Sequence, residues 1–69
     1  MGIEEEIAED FRDTAAMVLR RAKGVGQPQT TYHGGIPVTA YPMDSEHGGV
    51  DAVIARAVAE VQRRRRLAR

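Results

Sequence analysis

The chain has 69 residues, no cysteine and no formal net charge, with ten acidic residues balanced by ten Lys and Arg. That length holds one domain, and the absence of Cys excludes disulfides and thiolate metal sites. No apolar run approaches the ~18 residues of a membrane span. The acidic start lacks the basic segment of a signal peptide. The expected location is the cytoplasm, or a particle assembled there.

Aromatic supply is thin, limited to Phe11, Tyr32 and Tyr41, so aliphatic residues and Ala must build the core. Burial barely offsets chain entropy in a scaffold this small. A protein partner or self-association is the expected further stabiliser, and the chain is expected to be an oligomer or part of a larger assembly.

The charge is sorted along the chain. Glu4, Glu5, Glu6, Glu9, Asp10 and Asp13 crowd the start, while Arg56, Arg63, Arg64, Arg65, Arg66 and Arg69 crowd the end.

The first predicted element is a helix over about 3–23. Ile3, Ile7, Phe11, Ala15, Val18, Leu19 and Ala22 fall on one stripe at helical spacing. Acids in its first turn and Arg20, Arg21 and Lys23 in its last suit the helix dipole. Gly24 is the expected C′ residue, with Gly26 and Pro28 beyond.

Over about 29–42 the period changes. Gln29 to Tyr32 and Ile36 to Tyr41 are rich in β-branched and aromatic residues, and His33-Gly34-Gly35 joins them. This pattern predicts a hairpin. Pro37 lacks an N–H and belongs at a strand start or an outer edge. Residues 43–49, with Gly48-Gly49, read as a flexible connector.

A second helix is predicted over about 50–63, with its stripe on Val50, Val53, Ile54, Ala57, Val58 and Val61. Continuing that stripe would bury Arg64 and Arg65, so the chain is expected to leave the core there as a basic tail over 63–69. Phe11 and Leu19 should meet Ile54 and Val58. The fold class is α+β, in the order helix, β-hairpin, helix. A hairpin returns the chain to its starting level, so the helices should be antiparallel. That would set the acidic start of the first near the basic end of the second.

The residues give little support for chemistry. Asp44, Ser45, Glu46 and His47 match no metal-ligand spacing. Neither Gly pair belongs to a phosphate-binding loop, and Ser45 has no nucleophile-elbow context. A non-enzymatic protein without cofactor or metal is expected. The Arg63 to Arg66 run fits phosphate contact, pairing with the acidic first turns, or a solvated helix end. No aromatic neighbour is available to stack on bases.

Two family resemblances follow from these segments. The acidic start Glu4-Glu5-Glu6-Ile7-Ala8, the turn His33-Gly34-Gly35 and the stretch Val50 to Arg66 resemble the small head–tail joining proteins of tailed phages, the lambda W type. That resemblance is architectural and spans nearly the whole chain. It implies a virion protein that binds the portal ring, with Arg63, Arg64, Arg65, Arg66 and Arg69 contacting neighbouring subunits, the portal or DNA. The hairpin tip, His33, Gly34 and Gly35, is the other candidate contact. The connector from Pro42 to Gly49 is longer than that family's usual link. The middle half, from Val18 to Ala22 and from Gln27 to Val38, is similar to the Phd/YefM antitoxins, with Arg12 matching a basic residue of their DNA-contacting helix. This second resemblance implies binding to a small toxin and to operator DNA. Those proteins open with a strand that builds the dimer sheet, where this chain has acidic, helix-patterned residues.

Overall fold

A computed structural model describes the backbone of residues 3–67 and the side chains of residues 8–67. The elements are helix α1 (Ile3–Val25), strands β1 (Gln29–His33) and β2 (Ile36–Ala40), a 3-10 turn (Pro42–Glu46) and helix α2 (Gly49–Leu67). The helix–hairpin–helix order is the one the sequence periodicity predicts.

Helix α1 runs past its expected end. Gly24 stays helical, and Gly26 takes the left-handed conformation at φ 71°, donating its N–H to Ala22 O at 2.8 Å. Both glycines could close the helix on grounds of residue type. The apolar stripe ends at Ala22, which is fully buried, and the backbone makes one further turn before the αL residue stops it.

The hairpin has a two-residue turn at Gly34 and Gly35, both at positive φ (57° and 82°). Such a turn matches the right-handed strand twist and leaves two positions that side chains with a Cβ disfavour. The pairing is antiparallel, from Gln29 opposite Ala40 to His33 opposite Ile36. Alternation along β2 sends Val38 and Ala40 into the core.

Both helices pack on the inner face of the hairpin and on each other. Phe11, Ala15, Val18, Leu19 and Ala22 of α1 close on Val53, Ile54 and Ala57 of α2 and on Val38 and Ala40. Val58 and Val61 pack at the margin of this cluster. Ile3 and Ile7, the first members of the predicted stripe, lie outside the described side chains. Val50, at the start of α2, shares a groove with Leu19 and Lys23 near the end of α1, as antiparallel helices require. The largest fully buried side chains are valines, and each contributes ~1.5–3 kcal/mol when buried.

Two further expectations are corrected. Residues 43–49 do not form a featureless connector: Pro42 to Glu46 make a 3-10 turn. Proline at its first position has the φ such a turn needs and no N–H to leave unpaired. Residues 63–67 do not leave as a tail, because α2 continues to Leu67. Arg63 and Arg64 lie one turn beyond Glu60 and bridge it at 2.5 and 2.9 Å. Arginine is also a good helix former. The expected exposure holds, since all the side chains from Arg63 to Leu67 face solvent.

Candidate protein-contact surface

The connecting turn is held by a buried carboxylate. Asp44 is 3% exposed. Its Oδ2 accepts the Tyr41 N–H at 2.8 Å and Arg56 Nη1 at 2.9 Å, and its Oδ1 accepts Arg56 Nη2 at 2.5 Å. The same Nη1 donates to Thr39 O at 3.0 Å, and the guanidinium carbon lies 4.9 Å from the centre of the Tyr41 ring. One arginine thus ties α2 to β2 and to the 3-10 turn. Its hydrogen bonds hold the Asp44 carboxyl below its ordinary pKa, against the opposing effect of burial. Asp44 in turn raises the pKa of Arg56. Asp44 is therefore engaged in structure, and Ser45 donates its hydroxyl to Pro42 O at 3.1 Å. Among the described residues no group of three His, Cys, Asp or Glu side chains is placed to hold a metal ion.

Two of the predicted contact residues meet, one from the hairpin tip and one from the Arg run. Arg64 Nη1 donates to Gly35 O at 3.1 Å, so the last turns of α2 lie against the hairpin tip. Gly34 and Gly35 are exposed, as are Arg63, Arg64, Arg65 and Arg66. Glu60 anchors Arg63 and Arg64, and its own pKa is lowered by those two hydrogen bonds. Arg65 and Arg66 make no ion pair among the described residues. Arg69 lies outside the described residues.

His33 departs from this picture. It is half-buried, its ring meets Phe11 edge-on with centroids 5.0 Å apart, and its Nδ1 is 3.3 Å from Thr14 Oγ1. It anchors the tip to α1 instead of projecting from it. The expected pairing of the Arg run with the acidic first turn of α1 falls outside the described side chains. Arg63 and Arg64 bridge Glu60 on their own helix, Arg12 bridges Asp51 at 3.6 Å, and the side chains of Glu4, Glu5 and Glu6 lie outside the described set.

Concavities are slight. A groove of about 210 Å³ is lined by Pro37, Thr39, Tyr41, Arg56 and Glu60, whose charges are already paired. A second, about 330 Å³, runs over Ala16, Leu19 and Val50 under Arg20 and Lys23 and is open to solvent. Neither encloses a ligand in the way a substrate site does. No helix among the described residues is long and apolar enough to cross a membrane.

The Asp44–Arg56 link was absent from the sequence reading. The local signal was present: Pro42 followed two residues later by Asp44 is a helix-start pattern. Comparison with protein-family models, curated proteins and solved structures finds no match for this chain.

Proposed function

We propose that the protein is a non-enzymatic assembly protein that docks on partner proteins through the end formed by the hairpin tip and the last turns of α2. Its proposed place is the head–tail junction of a phage particle, against the portal or a neighbouring virion protein, in the virion or in the host cytoplasm before assembly. The helix–hairpin–helix order over nearly the whole chain supports this reading, in line with the resemblance to head–tail joining proteins. The single observation that carries it is the Arg64–Gly35 contact. It joins an exposed two-glycine tip and a cationic helix end into one surface, two turns from any buried residue of α2. Such a surface offers charge for steering and backbone groups for pairing. Arg65 and Arg66, at its rim, also suit nucleic-acid phosphates.

The test is affinity capture from the cells that make the protein, comparing the natural chain with one in which Arg63, Arg64, Arg65 and Arg66 are changed to Gln. Recovery of portal, capsid or tail proteins by the natural chain and their loss with the variant is the expected result. Recovery of one small toxin-like protein with no virion component would replace this reading with the antitoxin one.

A further inference from the structure

The two edges of the hairpin are finished differently. Pro37 has no N–H, so the Tyr32–Pro37 pair is a non-hydrogen-bonded pair of the ladder. Alternation makes Thr30–Thr39 another. Thr39 O accepts from Arg56, which places it on the outer edge of β2. The outer edge of β2 is therefore obstructed: Pro37 offers no donor, Arg56 occupies the carbonyl of Thr39, and α2 packs alongside.

The edge of β1 has none of these protections. The backbone N–H and C=O of Thr30 and of Tyr32 point away from β2 and find no partner among the described residues. The strand, Gln29-Thr30-Thr31-Tyr32-His33, carries no Lys, Arg, Asp, Glu or Pro, the residues that natural edges use to repel a further strand. Thr30 is exposed, and Tyr32 is 69% exposed.

The flank of α1 beside this edge is also unfinished. Asp10, Thr14, Met17 and Arg21 lie on one line at helical spacing, and Thr14 reaches His33 of β1, so the line runs along the β1 side. Met17 is 44% exposed, with Arg21 Nη2 4.0 Å from its sulfur. Neither Asp10 nor Arg21 has an ion-pair partner among the described residues.

We infer that β1 pairs antiparallel with β1 of a second copy of this chain across a two-fold axis near Thr31. Thr30 then lies opposite the second copy's Tyr32, and this register gives every outward donor and acceptor of both residues a partner. The same axis sets the two α1 helices antiparallel on one face of the joined sheet. Asp10 faces the second copy's Arg21, Arg21 faces the second copy's Asp10, and the two Met17 side chains meet between them. A second copy fits where an arbitrary strand would not, because opposite charges stand on either side of a centre close to that of the strand. The contact is isologous, and it uses none of the residues of the assembly surface proposed above.

The test uses the full chain in sedimentation equilibrium from the low to the high micromolar range, with amide exchange followed by NMR across the same range. The expected species has twice the 7.6 kDa chain mass, with Thr30 and Tyr32 amides becoming protected as it forms and the Thr39 amide unchanged. Thr30→Lys combined with Tyr32→Lys sets like charges opposite each other at solvent-facing positions and weakens the dimer by ~10-fold or more. Asp10→Arg or Arg21→Asp alone also weakens it, and the two together restore it. Unaltered helical circular dichroism in each variant separates loss of the dimer from loss of the fold. A natural chain that stays monomeric throughout overturns the inference. So does a dimer in which Thr30 and Tyr32 amides remain unprotected, or one that survives the paired lysines.

Discussion

Replacing Asp44 by Ala probes the one buried charged side chain among the described residues. The substitution removes the acceptor for the Tyr41 N–H and both acceptors for the Arg56 guanidinium. The lost charge-assisted bonds cost ~2 kcal/mol, held to that figure because the Arg56 side chain is 41% exposed and turns to water when released. The orphaned N–H at the start of the 3-10 turn adds ~1 kcal/mol. The total, ~3 kcal/mol, is a large part of the ~3–10 kcal/mol expected for a domain of this size. It corresponds to a fall in Tm of ~12–24 °C, read by thermal circular dichroism near neutral pH. Acid should erase the difference. The pKa of Asp44 is lowered in the folded protein from its ordinary 3.8. Its contribution is therefore complete above the unfolded value and is lost as pH falls through the folded one. The gap between the natural chain and Asp44→Asn should accordingly narrow below about pH 4. A drop in Tm of less than ~4 °C for Asp44→Ala, or a gap that stays constant with acid, would refute the reasoning.

Other expected outcomes concern separate parts of the molecule. Phe11→Ala should cost ~3–5 kcal/mol, since Phe11 is the one aromatic ring in the core, and urea titration would show a chain close to its unfolding midpoint in water. Gly35→Val should cost ~1–2 kcal/mol because φ there is 82°, whereas Gly34→Asn, in a turn that accepts Asn-Gly, should leave urea stability nearly unchanged. Arg12→Ala should change stability by less than ~0.5 kcal/mol, because its bridge to Asp51 is open to solvent on both sides. A larger loss in the same titration would show a packing role for the Arg12 stem. Glu60→Gln should fray the end of α2, seen as lower carbon-13 secondary shifts from Arg63 to Leu67, since it removes the carboxylate that two arginines share.

The parts of the fold legible in the sequence are those with a local signal. The α1 and α2 stripes and the Gly34-Gly35 turn each sit within a short window, and the structure follows them over the described side chains. The antiparallel packing of the helices follows from the hairpin between them. What sequence reasoning missed depends on contacts between distant segments. Asp44 and Arg56 stand twelve positions apart and meet only because α2 folds back along β2. The loop signal of Gly48-Gly49 directly follows the Pro42–Asp44 pattern, and the two signals point to opposite kinds of structure over 43–49. The Arg run read as a departing tail because it breaks the apolar stripe, whereas the helix there is continued by Glu60 bridges and not by burial. His33 looked like part of an exposed tip, and its docking on Phe11 and Thr14 of α1 has no local mark in the sequence. The meeting of the tip with the Arg run is also a tertiary fact, twenty-nine residues apart along the chain.

The most direct measurement of the proposed function is affinity capture of the tagged full chain from the cells that make it, with the Arg63–Arg66 to Gln variant in parallel and mass spectrometry of both eluates. Portal, capsid or tail proteins are expected with the natural chain and should be depleted with the variant. Recovery of a single small toxin-like protein, or of virion proteins that bind the variant equally well, would contradict it.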